Sequence, residues 1–509
     1  MIKHTLKKHP QNTFEFIIDI SWDEIEKEYK LAFDVILAEF SFEGFRKGKV
    51  PSAIGEKHIP KDKVYNQLLK TLLPRIYEDI IKKEGVKAIL LQFSDLTGNV
   101  KVVETEVSRL KDVVTDGEWY DGSSVEGHAR IYESDMLLKP DLETFAILPW
   151  TNAELKSARI ICNICTPDGQ QFTGDPRYIL RKVLEEAKEM GFDYYTAAEL
   201  EFFLFERENL PQLTPHDRKG YFDYTPVSRA TRICRKVMDS LKAFNVRGES
   251  YHHEVAEGQH EIDIHYDKAL QSADNVLTVK SALKAYTNNE SLKVTFMPKP
   301  LQGINGSGMH VHQSLFKDSR NYFYEEKDQY QLSKTAYHFL AGQLHHARAL
   351  AALVAPTVNS YKRLVPGYEA PVNICWGRIN RSALIRIPKI SEGKKESTRI
   401  ELRCPDPSAN PYLAFAGMLA CGLDGIRNKI EPPKPIEENV YLLTEEERLK
   451  RNIGTLPSNL EEAITELGRN EVLKDLLGNH ASKAVIDAAR NDIEKAKLEV
   501  TPWEIKRYL

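Results

Sequence analysis

No apolar run in this 509-residue sequence approaches the ~18 residues that a membrane-spanning helix needs, and the start, MIKHTLKKHPQNTFEF, has no apolar core of the kind an export signal carries. Neither secretion nor a membrane partner is expected. Cysteine is scarce: six residues (162, 165, 234, 375, 404, 421) are scattered along the chain, a usage that suits a reducing cytoplasm. The lone CxxC of RIICNICTPDG, Cys162 and Cys165, supplies half of a tetrahedral zinc site at most and reads as part of a strand. A formal net charge of −4 gives no global reason for nucleic-acid affinity, so no DNA partner is expected and any such contact must be local. Internal repeats and Gly/Ser tethers are absent. So is a phosphate loop: in GFRKGKVPSAIG, at 44–55, three residues rather than four separate Gly44 from Gly48, and Lys49 precedes Val50 rather than Ser or Thr.

What is present is an ordinary globular composition, 42% hydrophobic and 28% charged, on a chain long enough for two to four domains. FEFIIDI alternates like a strand, and WDEIEKEYKLAFDVILAEF has helical spacing. A second helix is expected over KVYNQLLKTLLPRIYEDIIKKEG, with Leu68, Leu69, Leu72, Leu73, Ile76 and Ile80 on one face, a kink at Pro74 and a stop at Gly85. From Val86 the period becomes that of strands, beginning with a hairpin in KAILLQFSDLTGNVKVVETEV. The helix PRYILRKVLEEAKEMGF then opens a large α+β region, giving segments 1–84, 85–173 and 174–509.

Four strands carry polar residues at i, i+2 spacing over an apolar opposite face. In AAELEFFLFE, Glu199 and Glu201 share one face. In YHHEVAEGQHEIDIHYD, Glu254 and Glu261 flank a tight turn at Glu257-Gly258, with Asp263 and His265 continuing beyond Glu261. NGSGMHVHQSLF aligns His310 with His312 after glycines that admit close backbone approach, and STRIELRCPDP aligns Arg399, Glu401 and Arg403. One such pair is also what a wet strand surface provides; four together point to chemistry. Many carboxylates with few imidazoles suit Mg²⁺ or Mn²⁺ rather than zinc, and the adjacent arginines suit a phosphorylated or anionic substrate. The pattern alone supports metal-dependent phosphoryl transfer without a Walker motif.

The ordered motifs WYDGSSVEGHARIYESDMLLKPD, AELEFFLFE, KGYFDYTP, HHEVAEGQHEID, FMPKPLQGINGSGMHVHQSLF, RLVPGYEAPVNICWGRINRSALIRIP and TRIELRCPDPSANPYLAFA resemble type I glutamine synthetase, in its shorter subgroup, from about Val86 to the C-terminus. The resemblance implies a β-grasp-like domain and a catalytic α+β domain whose antiparallel sheet forms a half-barrel active site. It implies ATP and two to three Mg²⁺ or Mn²⁺ ions, with Glu201, Glu254 and Glu261 on the first ion and Glu199, His310 and Glu401 on the second. Arg363, with Asn305 and Gly306, would bind glutamate; Arg381, Arg386 and Arg403 would surround the transferred phosphoryl group. His312, Ser314, Arg381 and Arg399 would face the nucleotide. Asp121, Ser124, Tyr221, Glu254 and Glu369 would serve the ammonium site, Glu369 also closing over it. Active sites would lie between subunits of two stacked hexameric rings, because the DGSS module of one subunit completes its neighbour's site. The family's Gly-Pro-Glu-Pro-Glu reads Ala197-Ala198-Glu199-Leu200-Glu201 here, so both ligands survive but the strand entry differs. Lys394 and Lys395 compete for the nucleotide. Tyr441 lies where some relatives are adenylylated and is read as structural; Arg130 matches a position tied to glutamine feedback, a solvated arginine being the competing reading.

Residues 1–84 resemble instead the N-terminal ribosome-binding domain of trigger factor, whose signature loop is similar to GFRKGKVP. Gly44, Phe45, Arg46, Lys47, Gly48 and Lys49 would form the docking tip, and Gly44–Lys63 holds six Lys/Arg against two acids. A basic loop with no ribosome role is the competing reading. For the whole chain the rivals are a γ-glutamyl ligase for another amine and a catalytically silent ring presenting ribosome-binding tips.

Overall fold

The computed structural model describes residues 3–8, 14–19, 21–123, 125, 135–367 and 370–509. In the front segment β1 (Lys3–Lys8) and β2 (Phe14–Asp19) pair antiparallel, followed by α1 (Trp22–Glu39), α2 (Ser52–His58) and α3 (Lys61–Glu84). Gly85 ends α3 in the left-handed conformation, φ 68°, where a residue without Cβ is unstrained. The helix runs on through Pro74. Ala32 and Phe33 of α1 pack against Val64, Leu68, Leu72 and Ile76 of α3 in a small core. Leu69 departs from the expected face: it is 46% exposed, because α1 covers a narrower stripe than the sequence pattern spans. In the basic loop, Gly48 (φ 72°) donates to the Phe40 carbonyl, and a Cβ there would meet the Ala38 carbonyl oxygen at 2.5 Å. Phe45, Arg46, Lys47 and Lys49 are exposed, with Lys47 paired to Glu39.

The next sheet contains β3 (Ala88–Ser94), β4 (Val100–Glu106), β5 (Glu118–Asp121), β6 (Asp135–Ile147) and β7 (Ser157–Cys165) in the order β4-β3-β7-β6-β5, with β3 and β7 parallel and α4 (Leu110–Asp116) packed beside it. The expected β3–β4 hairpin is present and turns at Gly98. Ile81, near the end of α3, is buried in this second core with Ile89, Leu110 and Ile160, so one helix serves the front segment and the sheet domain alike. Cys162 and Cys165 are buried free thiols on β7, and all six cysteines are unpaired.

The remainder holds α5 (Pro176–Glu189), β8 (Asp193–Glu206), α6 (Arg229–Leu241), β9 (Gly248–His253), β10 (Gln259–Ile264), β11 (Asp267–Lys268), α7 (Ala269–Asn288), β12 (Leu292–Thr295), β13 (Met309–Lys317), β14 (Arg320–Asn321), β15 (Asn373–Gly377), β16 (Ala383–Arg386), β17 (Ile400–Leu402) and β18 (Gly454–Thr455). Its main path runs β18-β15-β16-β17-β13-β8-β10-β9. The sheet is mixed rather than antiparallel throughout as expected, since β15 and β16 run parallel. Strand β8 is central, flanked by β10 and β13. Leu200, Phe202 and Leu204 enter the main core with α5, α6, α7 and the helix Pro411–Arg427, while Glu199 and Glu201 take the other face. Asn410, the N-cap of that last helix, donates to the Asp95 and Leu96 carbonyls and ties the two domains together. Among the described residues no helix is long and apolar enough to cross a membrane.

Candidate active site

The ladder register brings the acids together. Glu201 lies directly across from Glu261, and Glu199 across from Asp263, on the antiparallel β8–β10 pair. Like charges directly opposite are destabilising, and here two such pairs adjoin. On the other edge of β8, Glu199 faces His310, and His312 faces Glu401 on β17. The nearest donor atoms of Glu199, His310 and Glu401 lie within 4.8 Å of one another. The β9–β10 hairpin turns at Gly258, φ 71°, and carries Glu254 into the same cavity.

Burial and crowding separate these carboxyls. Burial first, then Glu201, Glu199 and Asp263, pushes Glu261 up to about 12. Burial and then Glu254 push Glu201 up to about 8. Burial acts the same way on Glu199, but His312 and His310 outweigh it and hold that carboxyl well below its usual value. Glu401 is buried yet lowered, its two oxygens paired with Arg403 Nη1 at 2.8 Å and Arg386 Nη1 at 2.7 Å. A buried group of acids that cannot all ionise without compensation is a donor set suited to a divalent cation, and oxygen ligands with a single imidazole fit Mg²⁺ or Mn²⁺.

Two cavities meet at these acids. One, of about 350 Å³, is lined by all six residues of the expected metal set and by Tyr221, Asn305, Gly306, Arg363, Arg381, Arg386 and Arg403. The other, of about 400 Å³, is lined by His312, Ser314, Arg399, Glu396 and Tyr266, and shares Glu199 and Asp263 with the first. Arg363 is buried and donates to the backbone carbonyls of Cys404, Pro405 and Arg403, which fixes its guanidinium at the cavity wall. The glycines of NGSG have a more specific duty than open approach to a ligand. A Cβ on Gly308 would sit 2.5 Å from Arg363 Nη2, and one on Gly306 would sit 2.2 Å from the Pro298 carbonyl oxygen. They make room for the arginine and the neighbouring chain.

Asp121 ends β5 in the other sheet, accepts a hydrogen bond from Ser123 N–H at 2.8 Å and lines neither cavity of its own chain. Ser124, Arg130 and Glu369 lie outside the described residues. Lys394 and Lys395 are both exposed, and Tyr441 donates its hydroxyl proton to the Ala370 carbonyl. Sequence reasoning missed His252, across from Glu261 on β9 with Nε2 3.4 Å from Oε1, and Gln259, whose amide donates to Glu201 Oε2 at 2.8 Å and to the Gly306 carbonyl at 3.1 Å. The i, i+2 spacing of His252 and Glu254 was the available signal for the first.

Residues 85–167 match the glutamine synthetase beta-Grasp domain, and residues 173–508 the glutamine synthetase catalytic domain. Glutamine synthetase from Thermotoga maritima is 50% identical over 84% of this chain and 98% of its own length; that from Thermus thermophilus is 49% identical over 84% and 97%. Among solved structures, one described as a GmaS/ADP complex superposes with a TM-score of 0.77 at 30% identity, covering 85% of this chain and 98% of that one. Plasmodium falciparum glutamine synthetase, by cryo-EM, gives 0.77 at 26% identity over 86% and 98%. With family matches over most of its length and the acids assembled on its central sheet, this chain belongs to the glutamine synthetase family and is an enzyme of that class.

Proposed function

We propose that the chain joins ammonia to L-glutamate at the expense of ATP, through γ-glutamyl phosphate, in a cytoplasmic homo-oligomer. The observation that carries this reading is the meeting of the two cavities at Glu199 and Asp263, one walled by arginines and the other by His312, Ser314 and Arg399. Nucleotide in the second cavity is in keeping with a structural relative described as an ADP complex.

Glu201, Glu254 and Glu261 would hold one divalent cation, and Glu199, His310 and Glu401 another. When bound, the ions neutralise phosphate charge and draw electron density from the γ-phosphorus. Arg363, pinned by three carbonyls, binds the glutamate carboxylate, and Asn305 and Gly306 line the adjoining wall. The γ-carboxylate oxygen then attacks the γ-phosphorus and ADP leaves. Arg381, Arg386 and Arg403 balance the negative charge that spreads over the phosphoryl oxygens. Arg386 and Arg403 already neutralise Glu401, so they stand ready at the place where that charge develops. Ammonia attacks the acyl carbon, phosphate departs, and a carboxylate takes the extra proton; Asp121 with Ser124, Tyr221, Glu254 and Glu369 forms the ammonium pocket. Glu369 closes over the acyl phosphate and excludes water.

Asp121 lies away from its own chain's cavities, which supports a site shared between subunits and a ring assembly, a dodecamer of two hexamers. Mixing Asp121→Ala with Arg381→Ala chains tests this: activity returns in mixed oligomers if sites are shared and stays absent if they are not. The three-part division into 1–84, 85–173 and 174–509 is supported by a hydrophobic cluster centred in each part, with Ile81 and Leu96 among the residues that cross the boundaries. The front part we read as a trigger-factor-like module whose tip, Gly44 to Lys49, docks to ribosomes. Exposed Phe45, Arg46 and Lys49 support it. Co-sedimentation with ribosomes should fall in an Arg46/Lys47/Lys49→Ala variant and at raised salt; equal binding by both proteins removes the reading. Amine profiling separates ammonia ligation from ligation of a larger amine.

A further inference from the structure

Behind the acids, on the opposite face of β10, the structure gathers imidazoles. His260 alternates with Glu261 and so points away from the catalytic cavity. Its Nε2 lies 2.7 Å from His216 Nε2, on the loop that follows β8, and their rings stack with centroids 5.0 Å apart. Asp217 Oδ2 is 3.3 Å from the same His216 nitrogen. The donor atoms of His216, Asp217 and His260 all lie within 4.8 Å of one another, and the side chains are 3% exposed for His216 and 22% for Asp217. His260 is buried.

The carboxylate is held from behind. Gly258 N–H donates to Asp217 Oδ1 at 3.0 Å, and His253 Nε2 lies 3.1 Å from the same oxygen. His253 Nδ1 meets the Glu254 carbonyl at 2.7 Å, and a carbonyl only accepts, so this ring donates from Nδ1 and its orientation is set. Oδ1 is thereby occupied, leaving Oδ2 toward the two imidazoles. A carboxylate oriented from behind by outer hydrogen bonds is what a bound transition metal favours.

We propose that His216, Asp217 and His260 form a second kind of metal site, for zinc or a similar borderline divalent ion, separate from the carboxylate centre. Two neutral imidazoles and one carboxylate make a three-ligand set that leaves a fourth tetrahedral position for water, entered past Asp217, the most exposed of the three. Donors about 2.0–2.1 Å from a tetrahedral ion stand about 3.3 Å apart, so the two rings separate by about half an ångström on binding. The ion ties the 210–217 loop to the hairpin that carries Glu254 and Glu261. Its role is positioning: it fixes the strand behind the catalytic acids and touches no reactant.

The test uses the full-length oligomer, stripped with chelator, saturated with Mg²⁺, and then titrated with Zn²⁺ or Co²⁺. Wild type is expected to retain one more zinc per chain than His216→Asn or His260→Asn after gel filtration. Its Co²⁺ form should show the intense visible bands of a tetrahedral, imidazole-bound ion, reduced at least tenfold in either variant. Zinc should also raise the thermal midpoint of wild type but not of His216→Asn. Equal zinc content and equal Co²⁺ spectra in wild type and His216→Asn would overturn the proposal, leaving a buried hydrogen-bonded histidine pair. If neither variant folds, the wild-type Co²⁺ spectrum in excess Mg²⁺ decides alone: tetrahedral bands support the site and their absence rejects it.

Discussion

Glu199 on β8 and His310 on β13 stand opposite each other in the sheet, with Glu199 Oε2 3.1 Å from His310 Nδ1 while Oε1 is 2.6 Å from His312 Nε2. One carboxylate is thus divided between two imidazoles, with Glu401 beyond them, and the strand pairing holds all four groups in place. Glu199→Gln keeps the shape but removes the charge. It should weaken Mg²⁺ or Mn²⁺ binding by about 100-fold and lower turnover with it. The thermal midpoint without added ion should fall near neutral pH, because the two imidazoles that hold Glu199 below its usual value lose their anionic partner. Calorimetric ion titration of the variant checks this.

Ion binding should also release protons. Glu201, at about 8, is raised by burial and then by Glu254, and Glu261, at about 12, by burial and then by Glu201. Both lie above the ~4.3 of an unfolded glutamate, so in the ion-free protein they cost stability as pH rises, for Glu201 through about 8. A divalent cation takes the carboxylate form and reverses that trend. Affinity for Mg²⁺ should therefore increase from about pH 6 to about pH 8, and titrations in buffers of different ionisation heat should show net proton release. Affinity that does not change with pH would contradict the shifts.

A second raised acid tests the fold rather than the site. Asp175 caps α5, its Oδ1 accepting from Arg177 N–H at 3.0 Å and its Oδ2 from Ile164 N–H at 3.1 Å. Burial pushes it up to about 6 despite those bonds. Its contribution is therefore full below about pH 4 and is lost as pH rises through about 6. In Asp175→Asn one donor must face another, which should cost about 1–3 kcal/mol in denaturant unfolding and flatten the profile between those pH values.

The front core should be separable from catalysis. Leu72 is 1% exposed between α1 and α3. Leu72→Ala should cost that core about 2–5 kcal/mol. Hydrogen exchange should then quicken in α1 and the first half of α3, with phosphate release by the oligomer unchanged.

The site was legible wherever its residues sit two apart on one strand. Glu199 with Glu201, Glu261 with Asp263, His310 with His312, and Arg399 with Glu401 and Arg403 could all be paired by alternation alone. Contacts set by the partner strand were harder to read: spacing puts His252 two before Glu254, but it matters because β9 pairs with β10 in the register that sets it against Glu261. Gln259 matters because its amide bridges Glu201 to the Gly306 carbonyl, two segments far apart in sequence. The same holds for the parallel β15–β16 pair and for Leu69, which helical spacing includes in the buried face but tertiary packing leaves in solvent. The imidazole cluster at His216 and His260 is another case, its two rings brought together only by the return of the loop after β8.

The central claim is ammonia-dependent phosphoryl transfer, and its most direct test is phosphate release with glutamate and ATP, with and without ammonium. The wild-type oligomer should show ammonium-dependent release that Asp121→Ala loses while its assembly is intact. Phosphate release by wild type that is absent, or that ignores ammonium, would contradict the account.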